Sequence, residues 1–287
     1  MVLLLKIIYL ELLKANKNFN RDERTSHLPL LGTPWPMLFI VVLYVLFAKK
    51  WGPWLMERRQ PYNVDTLMQC FNVLQIVVNL CTFIEALRYS YLQPYFKITC
   101  QGYNTQDRND LLMRLRYAGY VYYISKYLDL FDTLFFVLRK KYNQITFLHV
   151  YHHAIMIYGV WVYNTLLYGS HHTAVGVINT FIHVCMYFYY FLAALKLKNF
   201  NLEPWKRRLT QLQILQFCLL CTHFAQPILN NWCNLDMFWV WVVFMQNLFM
   251  LVLFSDFYYK TYVRKTRKLQ SINQSTKDEV KVASKSE

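Results

Sequence analysis

Residues 174–195 read AVGVINTFIHVCMYFYYFLAAL, a run without any Asp, Glu, Lys or Arg in which Asn179, Thr180 and His183 are the strongly polar members. As an α-helix the run is roughly 33 Å long at 1.5 Å per residue, enough to cross a hydrocarbon core of about 30 Å. An asparagine and a histidine four positions apart share one helix face, and in lipid that face turns into a bundle because exposing it is costly. The rest of the chain agrees. Its 287 residues are 56% hydrophobic, 18% aromatic and 16% charged, against about 25% charged for a soluble domain. A water-soluble single domain is excluded. So is a disordered chain, because apolar side chains abound, and so is a disulfide scaffold, because 7 Cys are too sparse. At about 20 residues per crossing the length leaves no room for a separate soluble domain.

Further apolar runs predict spans at 36–48, 67–87, 117–138, 145–168, 174–195, 209–229 and 238–257, an all-α polytopic membrane protein with seven transmembrane helices. Residues 1–33 read as a non-cytosolic segment whose first 13 residues are amphipathic, 34–259 as the membrane domain, and 260–287 as a basic, disordered cytosolic tail. The net charge of +15 sits between and after the spans, so it speaks of topology and not of nucleic acid. Lys49, Lys50, Arg58 and Arg59 follow the first span; Arg139, Lys140 and Lys141 the third; Lys196, Lys198, Lys206, Arg207 and Arg208 the fifth; Lys260, Arg264, Lys265, Arg267 and Lys268 the seventh. Loops 169–172 and 230–236 hold no Lys or Arg. The positive-inside rule then puts the C-terminus in the cytosol and the N-terminus across the membrane. The loop between spans two and three is the exception, with Lys97, Arg108, Arg114 and Arg116. Asn273-Gln274-Ser275 fits a glycosylation acceptor, and a glycan there would reverse the orientation.

Cys70, Cys81, Cys185, Cys218 and Cys221 fall inside spans and read as packing residues. Cys100 and Cys233 fall in loops on the oxidising side, where a disulfide between them is expected.

Four spans carry polar clusters: Lys126, Asp129, Asp132 and Thr133; His149, His152 and His153; Asn179, His183, Met186, Tyr187, Tyr189 and Tyr190; and Thr210, Gln213 and Gln216. The spacings i, i+3, i+4 and i+6 set each cluster towards one side of its helix. Counted by helical rise, His149 and His153 lie roughly 6–12 Å into their span, Gln213 and Gln216 roughly 8–12 Å, and Asp132 roughly 10 Å from the end of its own. The clusters are therefore expected to converge in one layer of the cytosolic half, with Lys126 and His183 nearer the middle. His27, His171 and His172 fall in loops and His223 is solitary, so these four read as ordinary structural histidines.

An H-x-x-H-H set can act as nucleophile, as general base or as metal ligand. A membrane di-iron desaturase or hydroxylase would need more clustered histidines than the four that converge. A seven-helix receptor or transporter shares the span count but has no need of such a cluster.

His149-Val150-Tyr151-His152-His153, the stretch from Asn179 to Tyr190, Thr210-x-x-Gln213-x-x-Gln216 and Lys126-x-x-Asp129-x-x-Asp132-Thr133 resemble, in order, the signature boxes of the ELO family of very-long-chain fatty acid elongases. The wording of spans four and five looks most like the insect branch. One position departs: the family usually has Glu where this chain has Asp129. The resemblance implies an endoplasmic-reticulum 3-ketoacyl-CoA synthase that condenses acyl-CoA with malonyl-CoA, releasing CO₂ and CoA. It implies six helices enclosing an acyl tunnel and no metal or redox cofactor. It also implies His152 as nucleophile, with His149, His153 and His183 orienting it or moving protons. The condensation needs donors for an enolate oxygen, which Asn179, Gln213, Gln216 or Tyr187 can supply. Lys140, Lys141, Lys206, Arg207 and Arg208 are candidates for holding CoA phosphates. Expected partners are the bilayer, acyl-CoA, malonyl-CoA and the reductases and dehydratase that complete elongation, with a homodimer left open.

Overall fold

The computed structural model describes residues 27–102, 110–197 and 201–264, and among these every regular element is a helix. The expectations for residues 1–26, for Arg108 and Lys198, and for the tail from Lys265 onward, including Asn273, lie outside the described residues. The described residues form two compact units, one within Met1–Leu197 with Asn230–Leu235, the other within Lys198–Leu229 with Asp236–Glu287.

In the first unit, α1 (Pro34–Leu46) opens with prolines in its first turn, where a missing N–H costs nothing. A π turn (Phe47–Trp51) carries it into α2 (Gly52–Met56). Pro53 cannot donate to the preceding turn, and widening the helix accommodates it. The apolar helix thus runs Pro34–Met56, longer than the expected 36–48. Next come α3 (Asp65–Arg88), α4 (Asp110–Leu128), α5 (Leu130–Leu138), α6 (Phe147–Val162) and α7 (Thr173–Ala194). The second unit is a helical hairpin of α8 (Glu203–Leu229) and α9 (Met237–Tyr258). Its ends are tied where Arg207 Nε and Gln211 Nε2 donate to the Tyr258 hydroxyl at 2.9 and 3.0 Å.

α3 shows why these helices belong in a bilayer. Asn72, Gln75, Asn79 and Thr82 are buried, whereas Val73, Leu74, Val77, Leu80 and Ile84 are exposed. This inverts a soluble amphipathic helix and is what lipid as solvent demands. Within the first unit α3 lies along α7 and against α4, and α6 contacts α1 and α4. Among the described residues five helical stretches are long and apolar enough to cross a membrane: Pro34–Met56, Asp65–Arg88, Thr173–Ala194, Glu203–Leu229 and Met237–Arg264.

The remaining two expected spans differ from their prediction. Span 117–138 begins earlier, at Asp110, and is divided at Asp129 into α4 and α5. Arg114 and Arg116 are therefore helical and not loop residues. Arg116 is buried, its guanidinium 4.2 Å from the centre of the Tyr168 ring. Span 145–168 yields a helix of 16 residues that starts after the Thr146 cap and ends in a π turn (Tyr163–Leu167). Lys206, Arg207 and Arg208, expected in a loop, lie in the first turns of α8.

Cys100 and Cys233 are joined by a disulfide with Cα atoms 5.8 Å apart. Beside it Lys97 Nζ stands 4.8 Å from the Trp232 ring centre, and the His171 amide donates to the Gln101 carbonyl at 2.8 Å. His171 and His172 do lie outside the helices, but both are buried in the turn that leads into α7, where the Ser170 hydroxyl meets His172 Nδ1 at 2.9 Å.

Candidate active site

The first unit gathers polar residues of α4 and α7, with Asp129 from the break between α4 and α5, around one buried lysine. Lys126 is 1% exposed. Its ammonium donates to Asp129 Oδ2 at 2.8 Å and to Asn179 Oδ1 at 3.3 Å, and lies 3.4 Å from His183 Nδ1. The face of Tyr122 is 4.7 Å away, and the Tyr122 hydroxyl donates to Asn179 Oδ1 at 2.7 Å. Local geometry explains half of this. Lys126 and Asp129 are i, i+3 neighbours, and Asn179, His183 and Tyr187 recur every fourth residue on one face of α7.

Asp129 is the hub on the other side. Its Oδ2 lies 3.6 Å from His183 Nδ1. Its Oδ1 accepts from Gln75 Nε2 at 2.6 Å and from the Tyr187 hydroxyl at 2.9 Å. Tyr187 also stands 2.9 Å from Asp132 Oδ2, and Gln75 Nε2 is 3.2 Å from the same phenol oxygen. A phenol has one proton, so Tyr187 donates to one of its two carboxylates at a time. Tyr190 packs edge-on against Tyr187 at 5.9 Å, and Met186 is half-buried on the same helix.

The histidine box occupies the first two turns of α6. Thr146 caps this helix by accepting the His149 amide at 3.2 Å. His149 and His153 rings are 4.4 Å apart, and His152 and His153 rings 5.7 Å. Thr133 Oγ1 bridges His149 Nε2 at 2.8 Å and the Tyr44 hydroxyl at 3.0 Å. Tyr44 in turn sets its ring 6.2 Å from His153. Because Thr133 follows Asp132 in the first turn of α5, this second network adjoins the first. His152 is half-buried and within electrostatic reach of Lys126, Asp129 and His183.

The chain is similar to known proteins over most of its length. The sequence model of the ELO (GNS1/SUR4) family matches residues 29–270. The chain belongs to the ELO family. It is 35% identical over 247 residues to very long chain fatty acid elongase 7 of Drosophila melanogaster, covering 86% of this chain and 74% of that protein. It is 34% identical over 248 residues to elongase 7 of Rattus norvegicus, covering 86% and 87%. Against elongase 4 of Homo sapiens it is 36% identical over 242 residues, covering 84% and 76%. The ELO match extends over both units.

Of the other expected site residues in this ELO chain, Thr210, Gln213 and Gln216 belong to the second unit. Thr210 donates back to the Lys206 carbonyl at 3.2 Å, and Gln216 is buried. Lys140 donates to the Glu57 carbonyl at 3.2 Å, so its ammonium secures the end of α2. Lys141, Lys206, Arg207 and Arg208 are exposed. Among the described residues no three His, Cys, Asp or Glu side chains are arranged to hold a metal ion.

Gln75, Tyr44 and Tyr122 also belong to these networks, and none of them is expected from the sequence. A signal for Gln75 was present: Gln69, Asn72, Gln75, Asn79 and Thr82 recur at three- and four-residue intervals through an otherwise apolar span. That is the pattern of a polar stripe facing inward. Tyr44 and Tyr122 carried none, since tyrosines occur in four of the seven expected spans and no spacing sets these two apart.

Proposed function

We propose that this chain is a fatty acid elongation enzyme, a very-long-chain 3-ketoacyl-CoA synthase working inside the endoplasmic-reticulum membrane. The observation that carries the reading is the histidine box of α6 set beside the Lys126–Asp129–His183 cluster, in a chain of the ELO family. An imidazole nitrogen of His152 attacks the acyl-CoA thioester carbon. The C–S bond breaks, the imidazole gives up a proton, and the leaving thiolate takes one. Malonyl-CoA then loses CO₂ by C–C cleavage, which leaves an enolate whose carbon attacks the acyl-imidazole. The C–N bond breaks and His152 regains a proton. One proton is consumed in total, and no redox group or metal enters the balance.

Asn179 suits the enolate oxygen. Its own oxygen is fixed by Tyr122 and Lys126, which turns the NH₂ away from the lysine. His183, His149 and His153 orient His152 or move its protons. Exclusion of water by an intramembrane tunnel protects the acyl intermediate. Seven crossings with a lumenal N-terminus and a cytosolic C-terminus belong to the same reading. CoA phosphates would meet cations from among Lys140, Lys141, Lys206, Arg207 and Arg208.

The test uses purified protein, a long-chain acyl-CoA and carboxyl-labelled malonyl-CoA, without reductant, O₂ or metal. Release of labelled CO₂ together with a 3-ketoacyl-CoA is the expected result. Turnover only with iron and O₂ would replace the reading with desaturase chemistry. His152→Ala is expected to abolish transfer of a labelled acyl group to the protein. Labelled acyl-enzyme persisting in that variant removes His152 as nucleophile.

A further inference from the structure

We propose that Gln75 of α3 is a positioning residue for the reaction, acting through Asp129. Gln75 is fully buried, and its Nε2 reaches Asp129 Oδ1 at 2.6 Å and the Tyr187 oxygen at 3.2 Å. Its Oε1 has no hydrogen-bond partner among the described residues. Burying an unsatisfied amide oxygen is unfavourable, so the amide is not held there by its own full satisfaction. What it does is fix the roll of the Asp129 carboxylate. With Oδ1 held by Gln75 and Tyr187, Oδ2 faces Lys126 at 2.8 Å and His183 at 3.6 Å. Lys126 and His183 are thereby aimed from a helix that bears no histidine or charge in this layer.

The contact depends on side-chain length. A short aspartate at the break between α4 and α5 meets a long glutamine on α3, and the two together span the gap. Exchanging the lengths, with Asn at 75 and Glu at 129, conserves the number of methylenes. Gln75→Asn alone leaves the gap open, and Asp129→Glu alone overfills it.

The inference rests on the condensation reading, and the experiment separates the two. Initial rates of labelled CO₂ release are compared for the unaltered protein, Gln75→Asn, Asp129→Glu and the double variant. Each single change is expected to lower kcat at least tenfold with KM for both substrates within about threefold, and the double variant to recover to within about threefold of the starting kcat. Multiplicative losses in the double variant overturn the proposal, as does a single-variant loss that falls on KM alone. The same four proteins are also compared by heat stability. Should the unaltered protein release no CO₂, the condensation reading fails. The Gln75–Asp129 contact is then judged on stability, where additive losses overturn it and recovery in the double variant upholds it.

Discussion

Lys126 and Asp129 are each almost wholly buried and 2.8 Å apart, so each is the condition for the other's charge. Removing one member of a buried pair strands the other and costs about 3–5 kcal/mol, whereas removing both with apolar replacements of similar volume is often close to neutral. Lys126→Met is therefore expected to lower the unfolding temperature sharply, and Lys126→Met with Asp129→Leu to recover most of that loss while remaining inactive. Thermal unfolding in detergent micelles checks this, and a single variant as stable as the parent would contradict it. The pair was legible in the sequence because i, i+3 spacing is local. Gln75 was not singled out, because its partners lie 54 and 112 positions away in the chain and only helix packing brings them together.

At the scale of elements, the join between α4 and the π turn after α6 depends on close approach. A Cβ at Gly119 would lie 2.9 Å from Asn164 Oδ1 and 3.2 Å from the Tyr163 ring. Asn164 Nδ2 meanwhile donates to the Gly119 carbonyl at 3.1 Å. Gly119→Ala must displace Asn164 and is expected to destabilise by about 1–3 kcal/mol. Gly159, mid-helix in α6, has nothing within 4 Å of its would-be Cβ. Gly159→Ala is expected to stabilise by up to about 1 kcal/mol through helix propensity. Calorimetry of the two variants tests the contrast, and equal shifts would show that approach distance does not govern this join. Hydropathy placed α3, α7 and α9 closely because charged residues are absent from them or confined to their ends. It placed the start of α4 poorly, because Arg114 and Arg116 read as loop cations until Tyr168 supplied a buried ring for Arg116.

At the scale of the molecule, the Cys100–Cys233 disulfide spans 133 residues of sequence and pins the connection from α8 to α9 within the first unit. Closing a long loop typically contributes about 2–4 kcal/mol by restricting the unfolded chain. Cys100→Ser with Cys233→Ser is accordingly expected to lower the unfolding temperature under non-reducing conditions and to abolish the shift that reductant produces in the parent. Insensitivity of the parent to reductant would contradict the linkage. The sequence by itself determined the helical membrane class, most of the apolar stretches and the histidine, lysine and aspartate boxes, because solvent transfer and helical spacing act over a few residues. Only the tertiary structure decided that α4 and α5 part at Asp129, that Thr133 joins Tyr44 to His149, and that Gln75 holds Asp129. Those arrangements come from helices distant in sequence meeting in space, where polar side chains settle on whichever partner satisfies their hydrogen bonds.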